Sequence, residues 1–153
     1  MLELKTSRKQ INFYKTKEPY GEFSNFARYP VLIDGLIWPT TEHYYQAQKF
    51  AGTEHVEAVR QSALPKMAAA IGRDKTLPLR MDWEEVKENV MRVALYAKFT
   101  QYEDLRNILL DTEDAILAEH TDNDMYWGDG LGMGKNRLGV LLMEVRESLR
   151  GKL

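Results

Sequence analysis

The chain of 153 residues is organised around one stretch, His120-Thr121-Asp122-Asn123-Asp124-Met125-Tyr126-Trp127-Gly128-Asp129-Gly130-Leu131-Gly132-Met133-Gly134-Lys135-Asn136-Arg137-Leu138-Gly139. Five of the 10 glycines lie in this stretch. Glycine loses more backbone entropy on folding than any other residue, so such a run usually serves a sharp turn or close approach to a ligand. Acids and aromatic residues stand between the glycines, which flexible linkers lack. The stretch therefore predicts a ligand-binding loop held by a rigid scaffold.

The segments on either side of this loop predict a strand and two helices. Residues 115–119 predict a short strand that enters the loop. The last helix is indicated by apolar residues at helical spacing, namely Leu138, Leu141, Leu142, Val145 and Leu149. A second apolar face, formed by Val86, Val90, Val93, Ala94 and Ala97, predicts a helix from Trp83 to about Phe99. Asp82 and Glu85 resemble a capping box at its start.

The N-terminal half predicts a hairpin and a helix with a polar face. Asp34-Gly35 separates two apolar runs within residues 31–38, which is typical of a type I′ turn. Thr40 or Thr41 then caps a helix that runs to about Phe50. Glu42, Tyr45 and Lys49 are spaced so that they share one face of this helix.

Shorter helices are expected in three further segments. They are residues 53–61, residues 66–71 with Gly72 as the C-cap, and a segment around residues 105–109. No internal repeat or linker divides the chain, so we predict a single helix-rich domain over residues 11–153 after a flexible segment, residues 1–10. The fold class is mainly α (α+β), with a short hairpin and small strands.

Composition limits the function classes. The formal charge is -2, so no bulk positive field attracts nucleic acid. The chain has no cysteine, which excludes disulfides, thiolate metal sites and a thiol nucleophile. It has neither an apolar signal segment at its start nor an apolar run of membrane-spanning length, so we expect a cytoplasmic protein without membrane contact.

The glycine loop fails the tests for three known ligand-binding motifs. In a P-loop, glycine would stand at Asp129 and a hydroxyl residue at Asn136. In an EF-hand, Trp127 would be the invariant glycine. A dinucleotide fingerprint needs a strand and helix around the glycines that the pattern does not supply. The three histidines, His43, His55 and His120, have no metal-ligand spacing, so no metal is expected.

A set of carboxylates remains. Glu42 lies on a helix face beside Lys49, while Asp122 and Asp124 lie in the glycine loop. Two carboxylates that converge on a cleft, with aromatic rings for stacking, suit the cleavage of a glycosidic bond. Spacing alone also allows Glu42 and Lys49 to form a surface contact and Asp124 to cap a helix.

Motifs along nearly the whole chain after residue 10 resemble the NADAR family, and most closely its YbiA-like branch. They are INFY at 11–14, YGEFSNF at 20–26, WPTTEHYYQAQKF at 38–50, GRD at 72–74, RMDW at 80–83, Met91, KF at 98–99, EHT at 119–121, Asp124, WGDG at 127–130, GKNRLG at 134–139 and LMEVR at 142–146. Several motifs together are far more specific than any one of them.

The resemblance implies a mainly helical YbiA-like fold and N-glycosidase activity without a metal or organic cofactor. The implied substrates are early intermediates of riboflavin synthesis, in which an aminopyrimidine is joined through nitrogen to ribose 5-phosphate. Hydrolysis would dispose of these reactive intermediates and release ribose 5-phosphate. Other branches of the family handle ADP-ribose and remove it from guanine in nucleic acid.

By position, the resemblance carries three family residues onto Glu42, Trp83 and Asp124. Glu42 and Asp124 are the candidate catalytic residues: one is the general base toward water and the other steadies the ribosyl cation. The candidate stacking residues are Trp83, which is as easily a core residue, and Trp127. The candidate phosphate ligands are Lys49, Arg73 and Lys135. Asn25 and Asn136 are candidates for bonding the ring or ribose, although Asn136 would otherwise cap the last helix, and Gly128 would let the backbone close on the sugar.

Three functions are thus weighed from the sequence. The first is a small-molecule N-glycosidase, which the near-neutral charge favours over a duplex-binding protein. The second is an ADP-ribosyl glycohydrolase, for which nucleic acid is a partner only as the modified substrate. The third is a non-catalytic nucleotide-sensing module, which would need neither Glu42 nor Asp124. The sequence does not determine the oligomeric state.

Overall fold

Helices contain far more residues than strands in the computed structural model, which describes residues 8–151. Its helices are α1 (Thr41–Gln48), α2 (His55–Arg60), α3 (Pro65–Gly72), α4 (Trp83–Gln101), α5 (Glu103–Asp111) and α6 (Arg137–Arg150). Its strands are β1 (Gln10–Phe13), β2 (Val31–Ile33), β3 (Leu36–Trp38) and β4 (Ile116–Glu119), and 3₁₀ turns occur at Gly21–Phe23 and Gly130–Gly132. The prediction of a mainly α fold with small strands is confirmed.

The longest helix, α4, is the centre of the packing, since it contacts α1, α5, α6 and β2. Ala94, Leu95 and Phe99 on its apolar face are completely buried. The helix begins at Trp83 as predicted and ends two residues beyond Phe99. The predicted capping box is wrong, because the Asp82 side chain makes no cap hydrogen bond and instead pairs with the Arg80 guanidinium, with Arg80 Nε 2.6 Å from Asp82 Oδ1.

The predicted hairpin is confirmed. Strands β2 and β3 are antiparallel, and both turn residues have positive φ, 53° at Asp34 and 78° at Gly35, as a type I′ turn requires. Such a hairpin is marginal alone, and here it packs on α4. The Gln101 side chain at the end of α4 donates to and accepts from the backbone of Leu32, so it continues the pairing of this edge.

Strands β1 and β4 form a separate two-stranded parallel sheet, covered by α6. Their register pairs Phe13 with Glu119 at the carboxyl end. Both strands end at this edge of the sheet, so the segment after β1 and the loop after β4 begin next to each other. At the other end of the sheet, Arg8 donates to the Asp114 carbonyl; of the predicted N-terminal segment, residues 1–7 lie outside the described part.

The start of α1 agrees with the prediction, because the Thr40 hydroxyl caps it by accepting from the His43 N–H at 3.1 Å. The prediction for Gly72 is wrong. Gly72 is the last residue of α3, and Arg73 is the C-cap. A Cβ on Gly72 would lie 1.9 Å from Gln46 Oε1, so glycine is needed here for the close approach of α1 and α3 rather than for a left-handed turn.

The start of the last helix also differs from the prediction. Asn136 occupies the N-cap position of α6 with φ of 52°, but its side chain makes no cap hydrogen bond. Its amide donates to the Leu117 carbonyl and accepts from the Glu119 N–H, so it ties α6 to β4. Within residues 8–151, no helix combines the length and the apolar character needed to cross a membrane.

Candidate active site

A cavity of about 340 Å³ lies between α1, the glycine loop and the carboxyl end of the small parallel sheet. Its walls are Tyr14, Asn25, Phe26, Glu42, Tyr45, Gln46, Lys49, Arg73, Met91, Glu119, Thr121, Asn123, Asp124 and Trp127. This volume lies within the usual range of small-molecule sites. Six of the residues assigned from the sequence line it, namely Asn25, Glu42, Lys49, Arg73, Asp124 and Trp127.

One wall is the polar face of α1. Glu42 is 8% exposed, and its Oε2 accepts a 2.7 Å hydrogen bond from Gln46 Nε2, one turn further along the helix. Burial raises the pKa of the Glu42 carboxyl, while Gln46, Lys49 and Arg73 oppose the shift. Burial lowers the pKa of the Lys49 ammonium, which donates to the Gly72 carbonyl at 3.2 Å. Glu42 and Lys49 thus lie on the same helix, and the charge of each favours the charged form of the other.

The opposite wall is the loop that carries Asp124. Asp124 Oδ1 accepts from the backbone N–H groups of Tyr126 and Trp127 at 2.9 and 2.8 Å. These bonds fix the carboxyl group, while Oδ2 accepts no hydrogen bond from residues 8–151. The reactive oxygen of a general base must be available in this way, because it has to reach a proton of the attacking water.

The two walls meet through aromatic side chains. Trp127 Nε1 donates to the Tyr45 hydroxyl at 3.0 Å, and the two rings pack edge to face with centroids 5.5 Å apart. Tyr45 belongs to α1 and Trp127 to the loop. The helix and the loop therefore face the same cavity.

Asn25 closes the floor of the cavity. Its Oδ1 accepts from the Thr41 hydroxyl at 2.7 Å, and among residues 8–151 its amide nitrogen donates only to the Met91 sulfur, at 3.4 Å. A thioether is a weak acceptor, so the amide N–H remains able to bond a ligand hydroxyl. Asn25 is buried and therefore held in place for this contact.

Four other assigned residues do not line the cavity. Trp83 is buried behind Tyr45, with ring centroids 5.1 Å apart, so Trp127 is the tryptophan that reaches the ligand space. Lys135 is exposed, and its ammonium lies 5.5 Å from the Tyr126 ring. Gly128 serves close packing, since a Cβ there would lie 2.5 Å from the Thr121 methyl group. Asn136 bonds to β4 instead.

Eight lining residues have no role in the sequence-based assignment, and three of them contribute polar groups beside the assigned acids: Tyr45, Gln46 and Glu119. Tyr45 and Gln46 lie near Glu42 on α1, and their helical spacing from it is the signal that points to them. Glu119 is the last residue of a short apolar strand just before the glycine loop. A charged residue at such a strand end is a common place for a functional group, because it combines a rigid backbone with access to the loop.

Glu119 adds a third carboxyl to the cavity. Burial raises its pKa to about 7, and the nearby charges of Asp124, Glu42 and Asp129 act in the same direction. No described residue donates a hydrogen bond to its carboxyl oxygens, whereas its backbone N–H and carbonyl are both bonded, to Asn136 and Asp129. The backbone of Glu119 is therefore fixed and its acid group is unpaired.

The histidines have structural partners. His43 is buried between the Thr40 hydroxyl and the Ser62 carbonyl, and burial lowers the pKa of its ring. His120 Nδ1 is 2.8 Å from Asp129 Oδ2. Within residues 8–151, no group of three or more histidine, aspartate or glutamate side chains is arranged to hold a metal ion.

Chemically, the cavity combines acids, cations and flat rings. Carboxylates stabilise a ribosyl cation and activate water, as they do in glycoside hydrolysis. The cationic groups of Lys49 and Arg73 suit an anionic substituent such as a phosphate. The Trp127 and Tyr45 rings suit a planar base.

Comparison with known proteins agrees with this chemistry. The NADAR domain model matches residues 12–150. The chain is 59% identical over 140 residues to the N-glycosidase YbiA of Escherichia coli (strain K12), an alignment that covers 91% of this chain and 88% of that protein. It superimposes on the NMR structure of the E. coli protein YbiA with a TM-score of 0.89 and 55% identity, covering 96% of this chain and 88% of that one.

A plant relative is larger. The chain is 41% identical over 157 residues to the chloroplastic riboflavin biosynthesis protein PYRR of Zea mays. That alignment covers 92% of this chain but 25% of the maize protein, so the similarity concerns one part of the longer protein.

Proposed function

The chain belongs to the NADAR family and is a hydrolase of N-glycosyl compounds, and from this premise we propose that it acts on early intermediates of riboflavin synthesis. In these substrates an aminopyrimidine is joined through nitrogen to ribose 5-phosphate. The products are ribose 5-phosphate and the free aminopyrimidine. The relative in maize that is named for riboflavin biosynthesis supports this choice of substrate.

The observation that carries the proposal is the combination of groups in one cavity. Glu42 and Asp124 supply two acids, and Lys49 and Arg73 supply two cations. A phosphoribosyl group needs both, because a positive charge develops on the sugar during cleavage while the phosphate stays negative. A neutral nucleoside would need only the acids.

We assign Asp124 as the general base. Its Oδ1 is held by two backbone N–H groups, and its other oxygen is free to take a proton from water. Glu42 is oriented by Gln46 and lies deeper, so it stabilises the ribosyl cation or bonds the ribose hydroxyls. Trp127 stacks on the pyrimidine, Asn25 bonds the ribose, and Lys49 and Arg73 bind the phosphate.

The test is direct. Purified protein is incubated with the phosphoribosylaminopyrimidine, and released ribose 5-phosphate is measured against time. We expect release that is proportional to enzyme concentration and about 10²–10⁴-fold slower with the Glu42→Gln variant. Absence of release by the wild type, together with release of ADP-ribose from ADP-ribosylated guanine, would replace this proposal with the second candidate.

That second candidate is an ADP-ribosyl glycohydrolase, and one observation favours it. A second cavity of about 460 Å³ shares Tyr14, Phe26 and Glu119 with the first. It is also lined by the cationic residues Lys15, Arg28 and Lys66, for which no ion pair occurs within residues 8–151. A substrate longer than ribose 5-phosphate would find room and positive charge there.

A double variant separates the two candidates. Arg28→Gln with Lys66→Met removes positive charge from the second cavity alone. If the substrate ends at ribose 5-phosphate, its KM stays within about twofold of wild type, because these side chains do not line the first cavity. A rise in KM of about tenfold or more on an ADP-ribosyl substrate would favour the second candidate, and Lys75→Met is the exposed control.

A further inference from the structure

Glu119 is a half-buried acid that has no role in the proposed function. It lies at the carboxyl end of β4, opposite Phe13 of β1, and lines both cavities. Its backbone N–H donates to Asn136 Oδ1 at 3.1 Å, and its carbonyl accepts from the Asp129 N–H at 2.8 Å. The strand pairing and these two bonds fix the position from which its side chain enters the cavity.

The carboxyl group itself has no structural partner among residues 8–151. An acid that is kept only for stability is normally paired or hydrogen-bonded, since burying a lone charge is costly. The other two acids differ in this respect. Glu42 accepts from Gln46, and Asp124 accepts from two backbone N–H groups. Of the three acids in the cavity, Glu119 is the one whose carboxyl group accepts no hydrogen bond from residues 8–151.

The charges around Glu119 have the same effect. Glu42, Asp124 and Asp129 each disfavour a further negative charge on it. The other titratable groups that line the first cavity are Tyr14, Tyr45, Lys49 and Arg73. Those of the second cavity are Lys15, Arg28 and Lys66. The cations of the first cavity act chiefly on Glu42, which faces Lys49 and Arg73.

The cleavage of an N-ribosyl bond needs a proton at the leaving nitrogen. An amine that departs as an anion is a poor leaving group, and general acid catalysis removes this difficulty. Resting on the proposed function, we propose that Glu119 is the general acid of this enzyme, the catalytic residue that protonates the leaving nitrogen of the aminopyrimidine. The site then contains three acids with different roles: Glu42, Glu119 and Asp124.

The bond between C1′ and nitrogen breaks, and its electron pair goes to the nitrogen, which takes the proton from Glu119. Water adds its oxygen to C1′ and gives a proton to Asp124. The products are ribose 5-phosphate and the neutral aminopyrimidine. Glu119 ends as a carboxylate and regains a proton from solvent, and Asp124 loses one to solvent.

The pH profile of the wild type is the first test. Burial raises the pKa of Glu119 to about 7, so its acid form is lost as the pH rises through that value. We expect kcat/KM for the phosphoribosylaminopyrimidine to fall about tenfold for each pH unit above about 8. A profile that stays flat from pH 6 to pH 9 overturns the proposal without any variant.

The second test is Glu119→Gln, with Glu54→Gln as a matched control. Glu54 is exposed and lines neither of the two cavities. We expect Glu119→Gln to lower kcat by about 10²–10⁴-fold with a change in KM below about threefold, and to abolish the alkaline decline. A variant that folds, by circular dichroism, and keeps the wild-type kcat or the alkaline decline overturns the proposal.

These outcomes are separable from those of the proposed function. If the wild type does not hydrolyse the aminopyrimidine substrate, the proposed substrate is wrong, and the same two measurements are made on ADP-ribosylated guanine, whose leaving nitrogen also needs a proton. If the wild type hydrolyses its substrate while Glu119→Gln is unimpaired, the substrate is right and the role of Glu119 is wrong.

Discussion

Buried basic residues and the acids of the cavity occupy different surroundings in this protein. Lys98 is completely buried, burial lowers the pKa of its amino group to about 7, and its Nζ donates to the Ser24 carbonyl at 2.9 Å. Arg146 is 3% exposed, and its guanidinium donates to the Ala115 carbonyl and the Thr112 hydroxyl. Both cations bond groups of the chain itself, away from the cavity. Glu42 and Glu119 instead line it.

Charged residues that serve the fold can be separated from those that serve the site by what their charged groups bond. Lys98 holds the segment that leads into Asn25, and Arg146 holds the connection that enters β4. Both side chains therefore connect segments of the folded chain. The Glu42 carboxyl accepts a hydrogen bond from one side chain, and the Glu119 carboxyl accepts none from residues 8–151. Their remaining oxygen lone pairs are therefore available to a ligand. Removing a cation should therefore cost stability, whereas removing an acid should cost activity.

The largest expected effect concerns the acids. Glu42→Gln and Asp124→Asn should each lower turnover by about 10²–10⁴-fold, because each removes a group that acts on water or on the ribosyl cation. Circular dichroism should show an unchanged fold, and release of ribose 5-phosphate measures the loss. Glu54→Gln is the control. If activity survives both substitutions, Glu42 and Asp124 are not the catalytic acids.

The next effect concerns a cation. Lys98→Ala should lower the free energy of unfolding by about 2–4 kcal/mol, because it leaves a cavity and removes the bond to the Ser24 carbonyl. Urea unfolding at pH 7 measures this, with the exposed Lys75→Ala as control. A change below about 0.5 kcal/mol would mean that Lys98 is not the structural cation that its burial indicates.

Unlike Lys98→Ala, Glu119→Gln should raise the free energy of unfolding at high pH. Because burial raises the pKa of Glu119 from 4.5 to about 7, the unfolded chain gives up its proton before the folded chain does. The wild type thus loses stability as the pH rises from about 4.5 to 7. The variant should be more stable than wild type by on the order of 1–3 kcal/mol at pH 8 and no more stable at pH 4.5.

Thermal or urea unfolding of both proteins at the two pH values measures this gain. A variant that is destabilised equally at pH 4.5 and pH 8 would show that Glu119 serves the fold. Glu119 would then be a structural residue like Lys98 and Arg146.

The smallest expected effect tests how the acids are held. Gly72→Ala would place a Cβ against Gln46, the residue that orients Glu42. We expect a loss of stability of about 1 kcal/mol and a several-fold loss of turnover, because the Gln46 side chain must move. Gly151→Ala, which meets no atom within 4 Å, is the control. Unchanged turnover in Gly72→Ala would show that Gln46 does not position Glu42.

Local sequence patterns account for most of the elements. The Asp34-Gly35 turn, the Thr40 cap and the apolar face of α4 act over a few residues, so they can be recognised without knowledge of the rest of the chain. The predicted caps at Gly72 and Asn136 failed for one shared reason, because each residue meets a partner from a distant element: Gln46 of α1 for Gly72 and β4 for Asn136. Asp82 failed as a cap for a local reason, because it pairs with Arg80, two residues away.

By itself, the sequence determined the helix-rich fold, the family and the pairing of an acidic helix face with a glycine loop, since these follow from periodicity and motifs. Only the tertiary structure decided which residues line the cavity. It buried Trp83 behind Tyr45, and it turned Lys135 away from the site. It also brought Glu119 beside two other acids, because a parallel pairing of β1 with β4 joins segments more than 100 residues apart. Proximity of that kind arises from packing, which no local pattern encodes.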